Sequence, residues 1–181
     1  TDTFTVSASD GSLSNSQTLT INLTAVNDTP VLTAPSSATY TDTSANDTFA
    51  NTTGTLSASD RDSGTTLSYG ISSGTNGSTT INSITYDVSK AGTYGTLYVK
   101  SSDGSYVYVP NANAINALTS NVTDTFTVRA SDGSLSNTQT FTVNITGVND
   151  TPSAADKTIT INEDTATLLT VSDFGFSDVD T

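Results

Sequence analysis

The sequence predicts an all-β chain made of tandem β-sandwich modules. Three observations lead there: a long internal repeat, a period-two alternation of apolar and polar residues, and turn-forming residues at short spacing. The repeat is 124–152, DTFTVRASDGSLSNTQTFTVNITGVNDTP, which also occurs as 2–30, DTFTVSASDGSLSNSQTLTINLTAVNDTP, 122 positions earlier. Over the 29 aligned positions six differ: Ser7/Arg129, Ser16/Thr138, Leu19/Phe141, Ile21/Val143, Leu23/Ile145 and Ala25/Gly147. Where the position belongs to the apolar set, one apolar residue replaces another. A repeat this close and this widely spaced marks a domain array and not a small solenoid. It divides the chain into 1–30, the closing hairpin of a preceding repeat, 31–152, a complete repeat, and 153–181, the opening strands of a following one. The chain is therefore expected to be a window of a longer repetitive protein.

The hairpin of 124–152, and its copy at 2–30, reads as two strands and a turn. Phe126, Val128 and Ala130 alternate with Thr125, Thr127 and Arg129; Phe141, Val143 and Ile145 alternate with Thr142, Asn144 and Thr146. Period two puts the apolar set on one face, and β-branched residues suit a pleated, half-buried surface. Asp132-Gly133 and Ser136-Asn137 supply turn chemistry, with Leu135 expected to fold back onto the core. Pro152 cannot continue a central ladder, so 148–152 closes the second strand and opens a linker. Within the complete repeat, a broken first strand is expected near 38–41. A second strand at 54–59 runs into Asp60-Arg61-Asp62-Ser63-Gly64, and 67–72 is the next. Asn76-Gly77 is a tight-turn signal, followed by a strand at 83–88 with Ile84 and Tyr86 on one face. Segments 95–100 and 105–109 flank Asp103-Gly104 as a hairpin, with Leu97 and Val99 opposite either Val107 and Val109 or Tyr106 and Tyr108. Ile115 and Leu118 stand at helical spacing within 111–121, which predicts a single helical turn. Beyond the linker, 157–161 and 167–171 read as strands. About seven strands per module, punctuated by turns, is the sandwich pattern.

Composition narrows the function. A repeat of 122 residues can bury its own core. Cysteine and histidine are absent, which removes disulfides, thiol chemistry and the Ser-His-Asp and Cys-His nucleophile systems. Carboxylates remain, but no base partner or apolar pocket signal accompanies them, so no enzyme is expected. The net charge is −13 with five Lys and Arg; such a surface repels nucleic acid and anionic membranes and suits cations. No stretch approaches the ~18 apolar residues of a membrane span. Threonine, serine, asparagine and glycine in place of lysine and glutamate suggest an extracellular protein.

Three stretches, GTLSASDRDSGTTLSYGI, YGTLYVKSSDGSYVYVPNANAINALTSNVTDTFTV and the ASDG…VNDTP run, resemble the bacterial VCBS / cadherin-like tandem repeats that build large RTX-type surface adhesins. The stretch from Asn162-Glu163-Asp164 to Asp180 resembles the opening of a second cadherin-like subtype. The resemblance implies Ig/cadherin-like Greek-key sandwiches strung in a line on a secreted, bacterial cell-surface protein, exported by a type I system, with Ca2+ at the module junctions.

Calcium takes six to eight hard oxygen ligands. Asp60-x-Asp62 and Asp178-x-Asp180 each place two carboxylates on one side of a loop. Asn27-Asp28 and Asn149-Asp150 sit in linkers, and Asp10 and Asp132 in turns. The cadherin-like resemblance implies that linker, DxD loop and turn meet: Asn27, Asp28, Asp60, Asp62 and Asp132 at a first joint, Asn149, Asp150, Asp178 and Asp180 at a second, with Glu163 a further candidate there. Taken singly, Asp-Gly is first a turn former and Asn-Asp before proline an ordinary linker. The chain also departs from the cadherin pattern. Ala25 and Gly147 stand where the linker carries a further aspartate, and the complete repeat lacks the Asn-Glu-Asp opening, which points to one ion per joint or weak affinity.

The expected function is a structural extender of a repetitive adhesin or surface fibre, stiffened by calcium at its joints. Its expected partners are neighbouring repeats, or copies of itself in a fibre, with no nucleic acid and no membrane span. A first alternative is a filament subunit in which the tail strands of one copy complete the head of the next. A second is a carbohydrate- or ice-binding module using the Thr18/Thr20 and Thr140/Thr142 faces.

Overall fold

The computed structural model describes residues 1–180; Thr181, the last residue of the predicted third segment, lies outside them. In chain order the elements are β1 (Asp2–Ser9), β2 (Ser14–Ile21), β3 (Val31–Leu32), β4 (Ala38–Thr41), β5 (Thr52–Thr55), β6 (Ala58–Ser59), β7 (Ser68–Ile71), β8 (Thr75–Ile81), β9 (Ile84–Ala91), β10 (Gly95–Val99), β11 (Ser105–Pro110), α1 (Ala112–Asn116), β12 (Val122–Ser131), β13 (Ser136–Thr146), β14 (Ser153–Ala154) and β15 (Phe176–Ser177). β3 to β13 build one sandwich. A four-stranded sheet, ordered β4-β13-β12-β7, faces a five-stranded sheet, ordered β5-β11-β10-β9-β8. β4 runs parallel to β13 and the other neighbours are antiparallel. The fold is the expected all-β sandwich. Its strands exceed seven because the first is split into β3 and β4, the second into β5 and β6, and a β8–β9 hairpin extends one sheet.

Alternation decides which faces meet. Phe126, Val128 and Ala130 of β12 and Phe141, Val143 and Ile145 of β13 are at most 2% exposed. Across from them Leu97 pairs with Tyr108 and Val99 with Tyr106, so the tyrosine set of β11 turns inward. Tyr106 lies 5.3 Å from Phe141 and Tyr108 5.8 Å from Phe126, ring centre to ring centre, within the range where aromatic pairs attract. Ile115 of α1 is fully buried in the same core, and Leu118 packs against it, as their helical spacing predicts.

Three expectations are corrected. Asn76 and Gly77 lie inside β8, beside a bulge before Thr79. The β8–β9 turn is Asn82-Ser83, both at positive φ (49° and 66°), as a two-residue hairpin of the twist-matched type requires. Leu135 is 39% exposed, because Asp132 holds its N–H in the turn and turns the side chain outward. Residues 157–161 and 167–171 form no strand; Val171–Phe174 is a 3₁₀ turn instead, closed by Thr170 and Asp173. Period-two sequence needs a neighbouring strand to become a ladder, and none pairs with these segments among the described residues.

Candidate cation-binding joints

Each linker is gripped by the aspartate loop that follows it. At the first joint the Asp28 N–H donates to Asp62 Oδ2 at 2.7 Å, and the Asp62 N–H donates to Asp60 Oδ1 at 2.9 Å. At the second, the Asp150 N–H donates to Asp180 Oδ2, and the Asp180 N–H donates to Asp178 Oδ1 at 3.0 Å. Both asparagines brace their own linker, Asn27 Nδ2 to the Asp28 carbonyl at 3.3 Å and Asn149 Nδ2 to the Asp150 carbonyl at 2.9 Å. The backbone pairing beside each loop also recurs. Val31 opposes Ser59 and Leu32 opposes Ala58, as Ser153 opposes Ser177 and Ala154 opposes Phe176. A DxD loop presents a carboxylate to its own backbone two residues on, an Asx turn, which frees the next carboxylate for the linker.

The first joint gains Asp132 from the β12–β13 turn. Asn27 Nδ2 donates to Asp132 Oδ2 at 2.7 Å, across 105 residues, while Asp132 Oδ1 accepts the Ser134 and Leu135 N–H groups at 2.6 Å. The Leu135 and Asn27 donors together hold the Asp132 carboxyl below its ordinary range. Asp10, in the equivalent turn of β1–β2, makes the same two backbone bonds and contacts no linker.

The second joint gains two residues that the sequence patterns did not single out, Asp42 and Asp47. Asp42 is 1% and Asp150 2% exposed. Asp42 Oδ2 accepts the Val148 N–H at 3.3 Å; Asp47 Oδ2 accepts the Thr43 N–H at 2.6 Å. Asn116 of α1 pins this loop, accepting from the Asp47 N–H at 2.9 Å and donating to the Asp47 carbonyl at 2.9 Å and to Asn46 Oδ1 at 2.8 Å. Burial, and then the charges of Asp42, Asp180, Asp47 and Asp178, push the Asp150 carboxyl upward. Burial, then Asp47 and Asp180, raise Asp42 against the Val148 bond. A signal for Asp42 exists in the sequence. It follows Ala38 and Tyr40 in the inward phase of an alternating strand, where a carboxylate is out of place.

These carboxylates carry unpaired oxygens. Both oxygens of Asp150, Asp42 Oδ1, Asp180 Oδ1 and Asp60 Oδ2 are hidden from water without a hydrogen-bond partner among the described residues. A buried, unsatisfied, charged oxygen is costly, and a hard divalent cation is the ligand that would satisfy several at once. The donor set, all carboxylate, amide and backbone oxygen, fits calcium. Among the described residues no three carboxylates stand at the spacing of one finished coordination shell. Glu163 is not drawn in: its side chain is exposed in a turn, and it makes no hydrogen bond or ion pair among the described residues.

A family model for the bacterial cadherin-like domain matches residues 27–147. The chain belongs to the bacterial cadherin-like domain family. The match runs from the first linker to the end of the sandwich, and domains of this family are typically structural, non-enzymatic and extracellular or surface-exposed. No curated protein matches the cadherin-like chain. Among solved structures it is similar to the endo-fucoidan hydrolase MfFcnA4 from glycoside hydrolase family 107, at 16% identity and a TM-score of 0.37, covering 81% of this chain and 19% of that one. The chain thus spans about a fifth of that structure's length. No helix among the described residues is long and apolar enough to cross a membrane.

Proposed function

We propose that this chain is an extender segment of a repetitive extracellular adhesin or surface fibre, of the VCBS / RTX type, whose joints are stiffened by calcium. The observation that carries the proposal is the set of buried, unpartnered carboxylate oxygens at the second joint, where module, linker and following loop come together. The proposed ligand set combines the residues of the two joints. The preceding module supplies Asp42 and Asp47, the linker Asn149 and Asp150, and the following module Asp178, Asp180 and a turn aspartate equivalent to Asp132. A bound divalent cation supplies positive charge and open coordination sites at that point. Without it, like charges on both sides of the linker repel, and the Asp150–Asp180 contact is strained by its neighbours. The family and the chain's charge and composition support the extracellular placement.

Strand exchange between copies has less support. Segments 1–30 and 153–180 between them contain no counterpart of β7–β11, so joining them leaves a sandwich without most of its second sheet. The test is removal of calcium. Chelation is expected to lower the melting temperature and to shorten the particle in small-angle scattering, with Asp150→Asn reducing both responses. A melting curve and a scattering profile indifferent to chelator would sink the calcium role.

A further inference from the structure

Away from the joints, a groove of about 790 Å3 opens where β7, the edge of one sheet, parts from the β8–β9 hairpin of the other. Its lining is mostly polar, with Ser72, Asn76, Asp87, Ser101 and Arg129 beside the less polar Tyr69, Ile71 and Val88. The Arg129 side chain lies along Gly70, where an added Cβ would stand 3.5 Å from its Nε. It makes no ion pair among the described residues, although the chain carries 18 acids and only five bases. At the other wall Asp87 is fixed by the Ser101 N–H at 2.7 Å and by the Ser101 hydroxyl. Burial pushes its carboxyl upward, but these bonds outweigh that and keep it charged. The rim is held in unusual backbone. Ser73 sits at φ 57° without being glycine, a sparsely populated conformation, and Asn76 and Gly77, beside the β8 bulge, line the opening.

The internal repeat supplies independent evidence. Of the six differences between the two hairpins, one alters charge, Ser7 to Arg129, and it falls in this groove. The other exchange between polar residues, Ser16 to Thr138, is its cross-strand partner: Ser7 opposes Ser16 in β1–β2 and Arg129 opposes Thr138 in β12–β13. The two-stranded ladder itself does not call for an arginine, since Ser7 keeps the same cross-strand pairing in the other hairpin.

We propose that this groove is a binding subsite for an acidic saccharide, a glycan bearing a uronate carboxylate or a sulfate. The guanidinium holds the anionic group in a two-pronged, charge-assisted contact, and Asp87 with the serine and asparagine rim takes the ring hydroxyls. The anion is assigned to Arg129, with Lys90 Nζ bonded to the Ser72 carbonyl at 3.3 Å beside the same groove, and the hydroxyls to Asp87. The net negative charge of the rest of the chain discourages anions elsewhere, which confines binding to this one place. It makes the module a weak side contact to an acidic matrix while the array acts as a spacer.

The test is titration calorimetry of the full chain in calcium-replete buffer at physiological salt. The probes are trigalacturonate (too short to gel with calcium), a sulfated disaccharide and neutral maltotriose. Saturable binding by at least one acidic probe, little by maltotriose, and a loss of roughly tenfold or more in Arg129→Ser are expected; Arg129→Lys should retain part of the affinity. The arm that binds identifies carboxylate or sulfate as the recognised group. Arg129→Ser restores the residue of the other hairpin at an exposed site, so its melting temperature should match the parent's. Absence of binding by both acidic probes, equal binding of maltotriose, or undiminished affinity in Arg129→Ser overturns the proposal.

Discussion

In the hairpin β1–β2, Phe4, Val6, Leu19 and Ile21 are 51, 55, 51 and 42% exposed; in β12–β13 the residues at the same places, Phe126, Val128, Phe141 and Val143, are at most 1% exposed. The pairing registers agree residue for residue: Phe4 opposes Leu19 and Phe126 opposes Phe141. The turns agree too, down to the Asp10 and Asp132 bonds and Gly11 and Gly133 at φ 97° and 99°. The same local code therefore produces the same ladder, whether or not anything covers its apolar face. Burial is contributed by β4, β7, β10 and β11, from as near as Tyr108 against Phe126 to as far as Ala38 beside Val143, and most of the stability belongs to that contact.

The comparison breaks most visibly at the phenylalanines. Phe126→Ala should cost about 3–5 kcal/mol in denaturant unfolding, and Phe4→Ala within about 0.5 kcal/mol; equal losses would mean that the first hairpin is packed in solution. Next come the positions after the second strands. A Cβ on Gly147 would lie 2.5 Å from Leu118 Cβ and from the Ser120 carbonyl oxygen. Gly147→Ala is thus expected to lower stability by about 1–3 kcal/mol, while Ala25→Gly, at an exposed site, shifts the melting temperature little. The two hairpins are not interchangeable in one sandwich for the same reason.

A smaller effect separates the turn aspartates. Asp10→Ala and Asp132→Ala each lose two backbone bonds, about 1 kcal/mol, but only Asp132→Ala also frees Asn27. A calcium-induced rise in melting temperature should therefore shrink for Asp132→Ala alone. The smallest is a titration. Backbone donors, Leu13 then Ser12 for Asp10 and Leu135 first for Asp132, lower both carboxyls. Since the folded pKa lies below the unfolded one, their support of the fold is present above the ordinary carboxyl range. It fades as the pH falls through the folded midpoint. Carbon-detected NMR titration of Asn27→Ala should show the Asp132 midpoint rising and Asp10 unchanged.

Much of the sandwich was legible because its signals are local. β4 falls on the broken first strand expected at 38–41 and β10 on the strand expected at 95–100, and Ile115 and Leu118 announced the helical turn. Local strength misled at Asn76-Gly77, a good turn pair overruled by the Asn82-Ser83 turn, whose position lets Ile81 oppose Ile84. The DxD loops and linker asparagines were legible as chemistry. Asp47 was not, because its loop is pinned by the Asn116 bonds, a contact spanning 69 residues, and Asp42 left only its misplaced inward phase as a signal.

By itself the sequence determined the modular repeat, the strand period, the turns and the carboxylate-rich linkers, all of which arise from residues within hydrogen-bonding reach along the chain. Tertiary structure alone decided that Tyr106 and Tyr108 face inward and that Asp42 meets Asp150. Those outcomes depend on surfaces brought together across many tens of residues, where burial and charge act through space and leave no periodic trace in the chain.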